Sequence, residues 1–263
     1  MSDFEVLLDE NPEEINLFTI TLQRHVTHHP NIQLLELKGS TIGHKGAEYL
    51  ATALNKNKCI KHLGLARNNI NNSGAVAVLK SLVGSDIETL DLEWNGLQDP
   101  TAFQLAHLID STKTLVAVTL ERNDIRGEGA VAIAQALATN DTVRNLNLGF
   151  NKVTTLGALK LGDMLAVNNT LLTLNLAMNG IYPDGARSLA EGLSKNTTLR
   201  SLNLQSNQAI DAFADMGAAM KYPTSLRELN FSSNRLQSQL AVGFANGIRS
   251  AKGLIGLSLS KCG

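Results

Sequence analysis

One set of side chains recurs at a fixed spacing and has the residue types that dominate protein interfaces. Its members lie 27 or 28 residues apart: Arg67, Trp94, Arg122, Phe150 and Met178. Trp94 is the only tryptophan of the chain, and tryptophan and arginine are enriched among residues that carry binding energy. Adjacent strands lie about 4.8 Å apart, so five such residues on neighbouring strands form a row of roughly 20 Å. We predict that this row binds a protein partner.

Acidic residues adjoin this row and extend the predicted site. Asp91, Glu93 and Glu121 occupy strand positions near Trp94 and Arg122, which gives an acidic and aromatic patch. An alternative interpretation is that the arginines of the row simply neutralise Glu93 and Glu121 as solvated ion pairs. The sequence leaves both interpretations open.

The remaining candidates for chemistry do not form a recognisable catalytic or metal site. His25, His28 and His29 have no nearby cysteine and no acids at a metal-binding spacing, so we expect a solvated cluster. The segment Gly127-Glu128-Gly129 lacks the Lys-Ser/Thr that follows a phosphate loop. No Ser/His/Asp arrangement can be named from spacing. We therefore expect a protein that is not an enzyme and needs no metal or cofactor.

The row belongs to a nine-residue pattern, L-x-x-L-x-L-x-x-N, that occurs nine times with a period of 27 or 28 residues. A fixed period of this length predicts a solenoid, which presents an extended surface to another macromolecule. The nine copies begin at Ile32, Ile60, Ile87, Leu115, Val143, Leu171, Leu199, Leu226 and Leu254.

Each repeat predicts a strand, a turn and a helix. In the sixth repeat Leu174 and Leu176 alternate with polar residues, as in a strand with one buried face. Leu189 and Leu193 have helical spacing, and Asp184 is the expected N-cap. Stacked repeats place the strands side by side in a parallel sheet and the helices in an outer row. Because helices are wider than strands, the stack curves with the strands on the concave surface.

Asparagine recurs at the ninth position of the pattern, where the strand ends. An amide offers both a donor and an acceptor, so we predict that these residues satisfy backbone groups of neighbouring repeats. The predicted structural set is Asn68, Asn95, Asn123, Asn151, Asn179, Asn207 and Asn234. A second polar row, at the fifth position, is expected to be a solvated ladder that could also bind a ligand: Asn147, Asn175, Asn203 and Asn230. The N-x-S/T triplets at Asn72, Asn140, Asn168 and Asn196 are interpreted as by-products of the repeat loops rather than glycosylation sites.

Five Gly-Ala pairs complete the pattern: Gly46-Ala47, Gly74-Ala75, Gly129-Ala130, Gly157-Ala158 and Gly185-Ala186. With them the chain resembles the ribonuclease-inhibitor type of leucine-rich repeat. The resemblance implies an α/β fold, a right-handed leucine-rich-repeat solenoid or horseshoe with a parallel β-sheet on the concave face and helices on the convex face. The chain does not resemble ribonuclease inhibitor itself, which is rich in cysteine. Similar repeats occur in the Ran GTPase-activating protein, tropomodulin, nucleotide-sensing receptors and axonemal proteins.

Several positions depart from the pattern. Ser40 and Cys262 replace the asparagine of the first and ninth repeats, and Thr101 replaces the glycine of the third. The seventh repeat is one residue short and reads Ala212-Phe213, and the eighth reads Leu240-Ala241. We expect local irregularity in these two repeats.

The domain organisation follows from the period. Residues 1–31 are expected to form an N-terminal capping segment, in which residues 15–20 form an atypical first strand that pairs with the strand at Ile32. We expect residues 32–263 to form nine repeats, the last incomplete and uncapped. An uncapped edge could accept another chain or a second copy of this one.

The composition of the chain restricts the kinds of partner that we expect. The net charge is -1 and aromatic residues make up 4%, so we expect no nucleic-acid partner. No apolar stretch reaches membrane-spanning length, no signal peptide is visible, and there are only two cysteines; we expect a cytoplasmic protein with no membrane contact. The leading prediction is a non-enzymatic scaffold or adaptor that binds a protein on the concave surface of repeats two to six. The alternatives are a GTPase-activating regulator of a small GTPase and a structural subunit of a cytoskeletal or ciliary assembly.

Overall fold

The computed structural model describes residues 17–29, 31–222 and 224–262. In this part of the chain short strands alternate with helices. The strands are β1 (Leu34–Glu36), β2 (His62–Gly64), β3 (Thr89–Asp91), β4 (Ala117–Thr119), β5 (Asn145–Asn147), β6 (Thr173–Asn175), β7 (Ser201–Asn203), β8 (Glu228–Asn230) and β9 (Gly256–Ser258). The helices are α1 (Leu17–His28), α2 (Gly43–Lys56), α3 (Asn71–Ser81), α4 (Asp99–Ser111), α5 (Gly127–Thr139), α6 (Thr154–Leu165), α7 (Pro183–Lys195), α8 (Phe213–Ala219) and α9 (Ser238–Ser250).

The strands form one parallel sheet in sequential order, β1 to β9. The register aligns equivalent pattern positions, so that Leu90 lies between Leu63 and Val118. Each crossover from strand to parallel strand contains a helix, which gives the right-handed coil of such connections. The predicted fold is confirmed: the sheet lines the concave face and the helices form the convex face.

A single apolar core runs between the sheet and the helices. The fourth and sixth pattern positions supply the strand side, as with Leu90 and Leu92, and Leu105 and Ile109 of α4 supply the helix side; all four are buried. Full burial of such a side chain contributes about 1.5–3 kcal/mol. The core is thin but continuous, so each repeat is stabilised by its two neighbours.

The Gly-Ala pairs set the distance between neighbouring helices. A Cβ added to Gly157 would lie 2.6 Å from the Cβ of Ala130, and one added to Gly185 would lie 2.8 Å from that of Ala158. The glycine of one repeat therefore faces the alanine of the preceding repeat at a separation that no side chain tolerates. This contact explains the glycine of the pattern.

The predicted strand at residues 15–20 is wrong for residues 17–20, which belong to α1; residues 15 and 16 lie outside the described residues. Thr19 and Val26 are buried and Leu22 is partly buried against the core. These positions have the spacing of a helix face. The six-residue window was too short to reveal that period, and α1 packs against α2 rather than pairing with β1.

The prediction that Asp184 caps α7 is also wrong. Asp184 lies inside the first turn, where its carboxylate accepts a hydrogen bond from Arg187 at 2.7 Å. At α5 the capping group comes from the preceding repeat instead. The Oδ1 atom of Asp99 accepts from the N–H groups of Arg126 at 2.7 Å and Gly129 at 3.2 Å, which are free donors at that helix start.

The expected irregularity occurs in the seventh repeat. A 3-10 turn at Ile210–Ala212 precedes α8, which has seven residues. Phe213 fills the interior there and contacts Phe231 and Phe244 edge to face, with ring centroids 4.5 and 5.3 Å apart. In the eighth repeat α9 has 13 residues, which is a normal length for this chain.

None of the described helices combines the length and apolarity that crossing a bilayer would require.

Candidate protein-binding surface

The asparagine ladder, the seven ninth-position residues from Asn68 to Asn234, fixes the edge of the sheet where the strands end. In Asn123 the Nδ2 group donates to the carbonyl oxygens of Leu92 at 3.0 Å and Leu120 at 2.9 Å. Its Oδ1 atom accepts from the N–H groups of Asn95 at 2.9 Å and Leu97 at 3.0 Å. One amide thus joins two repeats, and the turn that follows each strand is held rigidly.

The substituted ladder position of the ninth repeat is filled by a weaker group. The Sγ atom of Cys262 lies 3.4 Å from the carbonyl oxygen of Phe231, the atom equivalent to the one that Asn123 bonds in Leu92. A thiol is a weak donor, so the last described turn is held less firmly than the others.

A second polar ladder, which the sequence analysis did not identify, follows the helices. Asn168 donates from Nδ2 to the carbonyl oxygens of Leu137 at 2.7 Å and Asn140 at 3.2 Å. Its Oδ1 atom accepts from the N–H groups of Thr170 and Leu171 at 2.9 and 2.8 Å. The buried asparagines with this pattern are Asn57, Asn140, Asn168 and Asn196.

This second ladder changes the interpretation of three N-x-S/T triplets. Asn140, Asn168 and Asn196 are buried structural residues rather than by-products of loops. The signal was present in the sequence, because these residues recur every 28 positions. The fourth triplet, at Asn72, has a different role: its Oδ1 atom accepts from the backbone N–H of Gln98 at 2.8 Å, at the start of α4.

The fifth-position asparagines act on their own strand ends. The Oδ1 atom of Asn175 accepts from the N–H of Ala177 at 3.1 Å, and that of Asn203 accepts from Gln205 at 3.1 Å. Asp91 makes the same contact with the N–H of Glu93 at 2.9 Å. The oxygen of each side chain is committed to the backbone, while the amide nitrogens of Asn175 and Asn203 face the concave surface.

The eighth pattern position has a left-handed backbone, which the sequence did not reveal. By strand alternation this residue would point into the core with the leucines, but its positive φ turns it outward. We call this line of turns the rim, because it lies beyond the carboxyl ends of the strands rather than on the concave face. The φ angles are 58° at Arg67, 52° at Trp94, 57° at Arg122, 56° at Phe150 and 55° at Met178.

Four of these side chains form what we call the rim stack: Arg67, Trp94, Arg122 and Phe150. The guanidinium carbons of Arg67 and Arg122 lie 5.3 and 5.2 Å from the ring centroid of Trp94. Arg122 also lies 4.1 Å from the ring centroid of Phe150. Cation–π contacts at such distances contribute about 0.5–1 kcal/mol each at exposed sites. Met178 is the next residue along the rim and is exposed, but it is not part of the stack.

Trp94 is 52% exposed even though arginines flank it. A shallow cavity of about 420 Å³ lies beside its ring and is lined by Arg67, Asn69, Trp94, Asn95 and Gly96. The rim stack therefore offers both an aromatic edge and a recess to a partner.

Ion pairs connect the rim stack to the concave face. Glu93 lies 3.2 Å from Arg67 and 3.9 Å from Lys38. Glu121 lies 3.7 Å from Arg122 and accepts a hydrogen bond from the Nδ2 group of Asn147 at 2.7 Å. Both ion pairs of the alternative interpretation are present, a hydrogen-bonded one at Arg67 and a longer one at Arg122.

Asp91 is the acid on the concave face whose titration is perturbed. Burial raises the pKa of the Asp91 carboxyl, and the neighbouring charges of Glu93 and Glu36 raise it further. The backbone N–H of Glu93 and the charge of Lys38 oppose the rise. The net direction is upward, so the charge of Asp91 is held at an energetic cost.

The histidines do not come together as a metal site. The rings of His25 and His29 are 4.1 Å apart. Among the described residues, no group of three or more His, Cys, Asp or Glu side chains is arranged to hold a metal ion.

Fold and surface together define an α/β repeat solenoid with an exposed rim. The leucine-rich repeat family model matches residues 56–79, 113–134, 139–162, 167–190 and 195–212, and a second leucine-rich repeat model matches residues 225–246. The chain belongs to the leucine-rich repeat family. Proteins of this class present extended surfaces to protein partners.

Comparison with solved structures gives Leiomodin-1 Actin-Binding Site 2 (ABS2), which is 20% identical, with a TM-score of 0.42 over 68% of this chain and 89% of that chain. A likeness of this degree says nothing about what the present chain binds. No curated protein matches the chain.

Proposed function

We propose that this protein is a non-enzymatic scaffold or adaptor that binds a protein partner through the rim stack and the adjoining concave surface of repeats two to six. One observation carries the proposal: the fold does not need Trp94. Half of its surface is exposed to solvent, and serine occupies the equivalent left-handed position at Ser206 and Ser233. A large aromatic side chain at a place where serine suffices is best explained by binding.

The stack also favours tight binding once contact is made. Flanking arginines hold the Trp94 ring, so less side-chain freedom remains to be lost when a partner covers it. Acids on the concave side, among them Asp91 and Glu93, surround this aromatic centre with polar groups, as in protein interfaces. Within this proposal the protein works in a reducing compartment such as the cytoplasm, because Cys59 and Cys262 are free thiols and Cys59 is exposed.

The test compares two surfaces of the same repeat. Phe103 lies on α4 and is 50% exposed, so Phe103→Ala is a matched control for Trp94→Ala on the opposite surface. Proximity crosslinking in native lysate is carried out with the wild type, the Trp94→Ala/Arg122→Ala variant and the Phe103→Ala variant. Each captured protein is then purified, and its affinity is measured by calorimetry.

A partner that binds the wild type and Phe103→Ala equally, and the double variant about tenfold or more weakly, supports the proposal. That loss corresponds to about 1.4 kcal/mol or more. A partner whose affinity falls only with Phe103→Ala would assign binding to the helices and refute the rim. Far-UV circular dichroism of all three proteins checks that the fold is intact.

A further inference from the structure

Arg122 differs from the other rim arginine in how its guanidinium is held. Its guanidinium carbon lies 5.2 Å from the ring centroid of Trp94 and 4.1 Å from that of Phe150, so it contacts two aromatic rings. The two rings come from the preceding and the following repeat, so the spacing of the solenoid sets how the guanidinium lies between them. A guanidinium that contacts ring faces keeps its N–H donors, which lie in its own plane, available at its edge.

These donors have no close acceptor among the described residues. The nearest carboxylate oxygen, Oε1 of Glu121, lies 3.7 Å from Nε of Arg122, which is beyond hydrogen-bond length. The other oxygen of Glu121 already accepts from Asn147 at 2.7 Å. Arg67, in contrast, donates to Glu93 at 3.2 Å. The Arg122 side chain is thus a partly exposed cation that makes one long ion pair and donates no hydrogen bond to a described residue.

We propose that Arg122 binds a carboxylate of the protein partner, an Asp or Glu side chain, through a two-pronged hydrogen bond. The inference rests on the proposed function, because it requires the partner to lie on the rim. A planar guanidinium matches the two oxygens of a carboxylate, and charge-assisted pairs of this kind add both energy and orientation.

A single carboxylate fits better than a phosphate. Phosphate groups carry nearly two charges, and the next rim cation, Arg67, is already paired with Glu93. A single guanidinium that makes no side-chain hydrogen bond to a described residue matches one carboxylate. The recess beside Trp94 lies one repeat away, so the partner segment carries an acidic residue next to an apolar one.

The test uses a display library of random twelve-residue peptides selected on the intact protein. The best peptide is synthesised with its acidic residue, with the corresponding amide, and with phosphoserine in its place. Binding is measured to the wild type and to Arg122→Lys and Arg122→Gln. Arg126→Gln is the matched control, since Arg126 lies in the same repeat, is exposed, and among the described residues its side chain makes only a long ion pair of 3.9 Å with Asp124.

The expected result is an enriched acidic position and at least a tenfold loss of affinity with Arg122→Gln. Arg122→Lys should lose nearly as much, because lysine keeps the charge but not the fork or the stacking. Replacing the peptide carboxylate by the amide should have no further effect on Arg122→Gln, and Arg126→Gln should bind as the wild type does.

Other results overturn the inference in distinguishable ways. Enriched peptides without an acidic residue that still require Trp94 would leave the rim as the binding site and refute the carboxylate. Tighter binding of the phosphoserine peptide than of the carboxylate peptide would assign Arg122 to a phosphate. Peptides that bind Trp94→Ala as tightly as the wild type, or no enrichment at all, would refute both the inference and the rim.

Discussion

Replacing one amide of the asparagine ladder should cost the protein a large part of its stability. Asn207 is fully buried. Its Oδ1 atom accepts from the N–H groups of Asn179 at 2.9 Å and Ile181 at 3.2 Å, and its Nδ2 group donates to the carbonyl oxygen of Leu176 at 2.7 Å. Asn207→Ala leaves these three backbone groups without their partner.

The magnitude follows from the number of groups. A buried donor or acceptor without a partner costs about 1–3 kcal/mol, so three such groups should cost at least about 3 kcal/mol. The control is Asn203→Ala in the same repeat, where the side chain accepts only from the N–H of Gln205 at 3.1 Å and water can replace it. That variant should lose about 1 kcal/mol or less.

Urea unfolding followed by far-UV circular dichroism measures both free energies of unfolding. A loss below about 1 kcal/mol for Asn207→Ala, or equal losses for the two variants, would refute the view that the ladder carries the buried backbone groups. An unchanged dependence on urea concentration would show that both variants unfold to the same state.

Three further comparisons test other features, each by urea unfolding. Asp91→Asn keeps the hydrogen bond to the neighbouring N–H but removes a carboxylate whose pKa is raised by burial. In acid, where this carboxyl is protonated, the variant should have the same free energy of unfolding as the wild type. As pH rises from the ordinary Asp range to the raised pKa the variant should become progressively more stable than the wild type, and above that pKa the difference should stay constant. A constant difference across that range would contradict this sign. Gly157→Ala should destabilise the protein by about 1–3 kcal/mol, because the added methyl group overpacks the contact with the preceding helix. Gly243→Ala should instead stabilise α9 by about 0.5–1 kcal/mol, because its Cβ meets nothing closer than 3.5 Å. Equal effects of the two substitutions would argue that Gly157 does not set the distance between helices. Trp94→Gly should be more stable than Trp94→Ala by about 1 kcal/mol because glycine adopts positive φ without strain, and the reverse order would mean that the left-handed turn is not retained.

The fold could be predicted from the sequence because each period of the pattern corresponds to one structural repeat. Leucines that alternate, followed by leucines at helical spacing, specify one strand and one helix in each repeat. A register error in one repeat would bury polar residues throughout it, so few alternative alignments exist. The strand predicted at residues 15–20 was wrong for residues 17–20 because this segment lies outside the period, where only its own local pattern was available.

The candidate site was predictable in composition but not in geometry. The row from Arg67 to Met178 was found by residue type and spacing. Its place on the rim depends on a left-handed backbone, which none of these residue types indicates. Arginine, tryptophan and phenylalanine rarely have positive φ. The turn imposes it, because the asparagine that follows is anchored to the preceding repeat.

Contacts between repeats were the hardest to predict. Asp99 caps the next helix and Asn168 bonds the preceding repeat, across 27 and 31 residues of sequence. Sequence rules for helix capping consider only residues within a few positions of the helix end, so they could not predict these contacts. The second ladder could have been found by asking which polar residues share the period of the leucines. Interpreting Asn140 and Asn168 as by-products of the repeat loops obscured that question.

At the rim, the residues that bind a partner in the proposed function differ from the residues that stabilise the fold. At its left-handed position the structure accommodates glycine, serine, lysine, arginine, tryptophan, phenylalanine and methionine with nearly the same backbone. Each repeat contributes one side chain at this position, and its identity can change without moving the backbone. After gene duplication, a few substitutions at the rim could give one copy of the protein a new partner. In protein engineering, the binding patch could be moved along the solenoid in steps of one repeat.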